Sequence, residues 1–186
     1  MDANDFVLLA LRAMGGEIRG KTKLQKTVYF LGLMTGHLDD LGYRAHFYGP
    51  YSEQVADAAN RLKSVGFVDR SVAGIGAVDR FGFEVCRTDF ALNDDGKQIA
   101  EDKAAASPRF WRKLQEAAEV LQNAGDSDYM KLSVAAKTYF MLGEKKGKAT
   151  MGELVEVANR FGWKVSKGQV QQAAKYLSKL GLVTLK

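Results

Sequence analysis

The chain has 186 residues, enough for one ordinary domain or two small ones, and its 46% hydrophobic content supports a core while 26% charged residues argue against wholesale disorder. No apolar run approaches the roughly 20 residues of a membrane span, the start Met1–Asp5 carries acids and no base, and Cys86 is the single cysteine, so a bilayer span, a secretory leader and an internal disulfide are not expected and a cytoplasmic location is. The formal charge of +5 is uneven: residues 1–126 hold 16 bases and 18 acids, whereas residues 127–186 hold 11 bases and 4 acids, an excess that attracts phosphate.

Periodicity predicts a first helix over Asn4–Met14, with Phe6, Leu9, Ala10 and Ala13 on one face, stopped by Gly15-Gly16. Glu17–Arg19 reads as a short extended piece. A second helix follows over Lys21–Met34, burying Leu24, Val28 and Leu31 and turning Lys21, Lys23 and Lys26 to solvent. Thr35–Gly42 reads as a polar loop, and Tyr43–Tyr48 as a short strand ending at the Gly49-Pro50 turn. A third helix is expected over Tyr51–Val65, then strands over Phe67–Ala73 and Phe81–Leu92 joined by a flexible connection at Gly74–Arg80. Helix, strand, helix, helix, strand, strand is the order of a winged helix.

Asn93 is positioned to cap a helix over Asp94–Ala106, and Ser107-Pro108 to open another that carries Phe110, Trp111, Leu114, Ala117, Ala118 and Leu121. A long helix is expected over Asp128–Glu144. Thr150-Met151-Gly152-Glu153 and Ser166-Lys167-Gly168-Gln169 both have the spacing of a capping box. They open helices running to Arg160 and to about Leu180, separated by a short turn with Phe161 and Trp163, which is the frame of a helix-turn-helix. Leu182–Leu185 reads as a closing strand. No acid follows Glu156.

On the last helix Val170, Ala173, Ala174 and Leu177 share one face, with Gly168, Gln172, Lys175 and Lys179 opposite and Lys167, Gln169 and Gln171 beside them. Glutamine pairs with adenine edges, lysine with guanine or phosphate, and a glycine permits close backbone approach. These residues, with Lys164 and the cluster Lys21, Lys23 and Lys26, are the candidate nucleic-acid contacts. A solvated lysine-rich face is the plain alternative. Catalytic signals are poor: His37 has no second histidine at ligand spacing, His46 reads as structural, Cys86 as a buried thiol, and Gly74-Ile75-Gly76 lacks the third glycine of a dinucleotide loop.

Gly20-Lys21-Thr22-Lys23-Leu24-Gln25-Lys26, followed by His46-Phe47-Tyr48-Gly49-Pro50-Tyr51-Ser52, resembles the YwgA-like family of uncharacterised proteins over roughly residues 4–70. A looser similarity extends to the SocA-like antitoxin domain family. The resemblance implies a compact helical domain related to the winged helix. The looser one implies, as an alternative function, a protein-interaction module of antitoxin or proteolytic-adaptor type acting through the N-terminal part.

The expected architecture is therefore mainly α with small β-hairpins: a winged-helix-like module at 1–93, a helical connector or dimerisation region at 94–125, and a helix-turn-helix module at 126–186. The expected function is non-enzymatic, with no cofactor and no metal. It is binding of double-stranded DNA through the C-terminal helix in transcription regulation, by a homodimer paired through the helix bearing Phe110, Trp111, Leu114 and Leu121, with RNA binding as a third option.

Overall fold

The computed structural model describes residues 1–74, 86–125 and 129–185. The expected connection Gly74–Arg80, the first part of the strand expected over Phe81–Leu92 and the start of the helix expected at Asp128 fall wholly or largely outside them. The described chain is mainly helical with one small antiparallel sheet. Its elements are α1 (Ala3–Ala13), β1 (Glu17–Arg19), α2 (Lys21–Thr35), a 3-10 turn (Asp39–Leu41), α3 (Glu53–Ser64), β2 (Val68–Ala73), β3 (Arg87–Leu92), α4 (Asp94–Ala106), α5 (Pro108–Asn123), α6 (Tyr129–Glu144), α7 (Met151–Arg160) and α8 (Lys167–Lys179).

Local chemistry accounts for the helix starts. Asp2 caps α1 by accepting from Asp5 N, Ser52 caps α3 by accepting from Val55 N, and Asn93 caps α4 by accepting from Gly96 N. The sheet order is β1-β3-β2, with Ile18 opposite Phe90 and Val68 opposite Leu92, so these apolar side chains enter the core from one face.

α1 and α2 are the two central helices. Every residue from Phe6 to Leu11 is buried, and so is every residue from Leu24 to Gly32. The narrower stripes expected from periodicity are thus too narrow, because α3, α4 and α5 surround α1 while α5 and α6 pack on α2. One continuous core runs from Phe6 to Leu180 and includes Leu114, Ala117, Ala118 and Leu121 of α5, Leu132, Ala135 and Ala136 of α6, and Ala173 and Leu177 of α8. A second cluster of Met141, Leu154, Val157, Ala158, Trp163 and Val170 holds α6, α7 and α8 together. The segment expected as a connector over 94–125 is therefore part of the main core. The apolar face of α5, expected to pair two copies, is covered by α1 and α2 of the same chain.

Two expected strands are absent among the described residues. Tyr43–Tyr48 makes only an isolated bridge between Arg44 and Tyr51, because its carbonyls bond side chains of other elements rather than a ladder. Leu182–Leu185 finds no partner strand; Leu182 and Val183 pack on the main core instead. Cys86 lies just before β3 and is exposed, not buried.

Gly96, in the first turn of α4, fixes how closely that helix meets the turn between α3 and β2: a Cβ there would stand 1.9 Å from the Phe67 carbonyl oxygen. Backbone cannot retreat as a side chain does. Gly96→Ala is expected to lower stability by about 1–3 kcal/mol or more. Gly143→Ala, where nothing lies within 4 Å, should instead raise it by roughly 0.5–1 kcal/mol. Urea unfolding of the two variants checks both signs.

Candidate nucleic-acid interface

The C-terminal helices are positioned by their ends. At α7 the Thr150 hydroxyl accepts from Glu153 N at 3.3 Å, and Glu153 Oε2 accepts from Thr150 N at 2.8 Å. At α8 the Ser166 hydroxyl accepts from Gln169 N at 3.2 Å and Gln169 Oε1 accepts from Ser166 N at 2.9 Å. Both expected capping boxes form, and each satisfies two amides that the helix itself leaves open.

The turn between them carries three packed rings. Phe161 and Trp163 stack with centroids 4.8 Å apart, and Phe140 of α6 meets both edge-on. Gly162, at φ 67°, supplies the left-handed residue that lets Trp163 double back into the second cluster. Buried Trp163 donates from Nε1 to the His46 carbonyl at 2.6 Å, tying the turn to the loop before α3.

With Val170, Ala173, Ala174 and Leu177 buried, the other side of α8 faces water. Lys164, Lys167, Gly168, Gln169, Gln171, Gln172, Lys175 and Lys179 are all exposed, as expected. Among the described residues none of these four lysines pairs with a carboxylate. Gln169 differs from the other glutamines because its carbonyl oxygen is held by the cap.

The N-terminal lysines do not form the solvent-facing row expected of them. Lys21 is exposed at the head of α2, in a groove of about 250 Å³ lined also by Tyr51, Asn60, Arg70 and Phe90. Lys23 is half-buried beside a second groove that it shares with Tyr176 of α8. Lys26 is 1% exposed and donates from Nζ to the Pro50 carbonyl at 2.5 Å. α6 covers the side of α2 that periodicity left to solvent, so Lys26 is not available to a phosphate.

The neighbouring Gln25 is buried too. Its Nε2 donates to the Ser52 carbonyl at 2.8 Å while its Oε1 accepts from Ser52 N at 3.0 Å. The Tyr43 hydroxyl donates to the Gln25 carbonyl at 2.7 Å, and the Ser52 hydroxyl to the Leu41 carbonyl at 2.5 Å. Residues Gln25-Lys26 and Pro50-Tyr51-Ser52, distant in sequence, thus form one hydrogen-bonded clamp. Sequence reasoning missed it because lysine and glutamine on a helix read as solvated.

Burial, and secondarily the charge of Lys137, push the Lys26 ammonium down to about 7. His37 is a packing residue: its ring lies 4.9 Å from that of Phe110, and Nδ1 is 3.1 Å from the Thr35 carbonyl. No group of three or more histidine, cysteine or carboxylate side chains suited to a metal occurs among the described residues. Among the described residues no helix is long and apolar enough to cross a membrane.

No protein-family model matches the chain. Over 87 residues it is 31% identical to a protein of Bacillus subtilis (strain 168) described as "Uncharacterized protein YwgA". The match covers 47% of this chain and 52% of that protein, so the chain spans about half the length of the curated relative it matches. The similarity supports a YwgA-like relationship.

The buried lysine makes stability depend on pH. Between about 7 and the ordinary 10.5, the unfolded chain holds a proton on Lys26 that the folded chain lacks. Stability contributed by this group is therefore lowest and flat below about pH 7, and climbs through that window. Lys137, lowered by its own burial, acts in the same direction; Tyr29 and Tyr43, raised by burial, act oppositely above about pH 10. In urea unfolding between pH 7 and pH 10, Lys26→Met should flatten the climb by up to about 1.4 kcal/mol per pH unit. Parallel curves for wild type and variant would contradict a buried, deprotonating Lys26.

Proposed function

We propose that the protein binds duplex DNA through α8 and acts as a transcriptional regulator. The observation that carries this reading is the outer face of α8: Lys167, Lys175 and Lys179 with Gln171 and Gln172, exposed and, among the described residues, with no carboxylate partner, on a helix fixed at its start by a capping box and preceded by exposed Lys164. Lysines at the start and along one face supply phosphate contacts, and free carboxamides suit base edges in a major groove. The order α7, short turn, α8 supports a helix-turn-helix reading, in which the second helix enters the groove.

The N-terminal elements support a winged-helix relationship. The order α1, β1, α2, α3, β2, β3 with sheet order β1-β3-β2 is the winged-helix order. In that arrangement α3 would be the reading helix, yet it exposes Glu53 and Asp57 beside Arg61 and Lys63. Two carboxylates on a groove-facing helix repel phosphate, so DNA contact falls to α8 and a supporting role to the first six elements.

Fluorescence anisotropy on mixed-sequence and selected duplexes, with RNA as competitor, tests this. Changing Lys167, Lys175 and Lys179 together to alanine should weaken binding and lower the salt slope by about 0.9 for each phosphate that is no longer neutralised. Gln172→Ala should leave the slope intact and relax base preference by about 1–3 kcal/mol at one position. A folded triple-lysine variant with unchanged affinity and slope, or a wild-type protein with no sequence preference, would overturn the reading.

A further inference from the structure

Phe47 is 82% exposed and Tyr48 64%, more than any other large hydrophobic side chain among the described residues. Surface aromatics of this kind ordinarily sit on loose segments or lie flat against the protein. These two stand on a braced turn. The His46 carbonyl accepts from Trp163, the Tyr48 carbonyl accepts from Ser133 Oγ at 2.5 Å, the Pro50 carbonyl accepts from Lys26, and Arg44 and Tyr51 exchange backbone hydrogen bonds of 2.9 and 2.8 Å. Gly49, at φ 96°, is pressed onto α6 so closely that a Cβ would stand 2.9 Å from Lys137 Cγ. The His46 ring meets Phe47 edge-on at 5.5 Å. A rigidly presented ring loses little freedom when it is covered.

The surroundings say what would cover it. Three segments meet at Trp163: the loop 42–52, the α6 segment 129–143, and the chain after Glu156. Together they hold Arg44, Lys137, Lys164 and Lys167 among other bases, and no aspartate or glutamate. Ser166, the cap of α8, follows Trp163 by three residues, at most about 11 Å of chain. The aromatic tip therefore adjoins the start of the helix proposed to hold DNA. Flat apolar rings carried beside segments that hold bases and no acid complement a polyanion that displays planar apolar faces. A protein partner matched to this surface would need acidic residues around an apolar centre. A nucleic acid with unpaired bases has both features in every nucleotide.

We propose that Phe47 and Tyr48 form a stacking platform for unpaired bases, so that the preferred ligand is a duplex with an adjoining single-stranded segment. This rests on the proposed contact of α8 with the duplex part. The experiment compares full-length wild type with the Phe47→Ala/Tyr48→Ala double variant, both exposed positions, on a blunt duplex and on the same duplex with a single-stranded tail. The tail should tighten wild-type binding about tenfold, and the variant should lose that gain while binding the blunt duplex as wild type does. With 5-iododeoxyuridine in the tail, irradiation should cross-link Phe47 or Tyr48. No gain from the tail, a gain that survives in the variant, or cross-links confined to other residues would overturn the platform and leave the pair to a protein partner, with duplex binding by α8 intact. Binding to the tailed DNA alone, abolished in the variant, would uphold the platform and overturn duplex recognition by α8. Binding to neither DNA would overturn both.

Discussion

The structure depends on how the loop between α2 and α3 satisfies its backbone. Residues 43–52 stay out of the sheet: Arg44 and Tyr51 bridge each other, and several of the other carbonyls turn toward α2, α6 and the turn before α8. A buried carbonyl left bare costs about 1–3 kcal/mol. Here the donors are side chains: Trp163 for His46, Ser133 for Tyr48, Lys26 for Pro50 and Gln25 for Ser52. Pro50 lacks an N–H of its own, which suits a position where only the carbonyl needs a partner. Ser52 then caps α3, so the direction of α3 against α1 is set by the same clamp.

Those donors come from both ends of the chain, and this makes the packing cooperative. Gln25 and Lys26 lie on α2, Ser133 on α6, and Trp163 in the turn before α8. A chain ending near residue 125 would leave the Tyr48 carbonyl without Ser133 and the His46 carbonyl with only the Gly49 N–H. It would also uncover the side of α2 on which α6 packs, where Tyr29 and Phe30 are fully buried. The continuous core from Phe6 to Leu180 states the same dependence in apolar terms. α8 is therefore joined, through Trp163, to the loop and to α2 by contacts in a close-packed interior rather than by a linker.

The legible parts of the fold were those governed by local chemistry. Asn93, Thr150 and Ser166 each announce a helix start from within three residues, and α4, α7 and α8 begin where those caps place them. β2 and β3 followed from β-prone runs. The illegible parts were those governed by what packs across an element. Lys23 and Lys26 occupy positions that a two-sided view of α2 leaves to water, but α6 arrives from more than a hundred residues later and covers Lys26. The apolar stripe of α5 looked like an unmatched surface because nothing local shows that α1 and α2 lie beneath it. At the candidate interface, the exposure of the seven positions on α8 was readable because it follows from the buried stripe of that helix. Phe47 was not: an aromatic in an alternating run reads as core, and only side-chain donors from α6 and the turn before α8 keep the segment out of a sheet.

The choice of lysine at position 26 follows from the geometry of the clamp. The Pro50 carbonyl needs a donor reaching from the α2 backbone across the interior. A methionine would fill similar space and leave the oxygen bare; a glutamine is one atom shorter and would bring a second polar atom needing its own partner. An ammonium reaches, but among apolar neighbours and with Lys137 nearby its charge is disfavoured, so the group titrates near neutrality. The amine keeps N–H donors after losing its proton, so its contact with Pro50 survives in either charge state. Lysine is the side chain that combines this reach with a donor that does not depend on charge, which is why a nominally basic residue can sit among the most buried positions of the core.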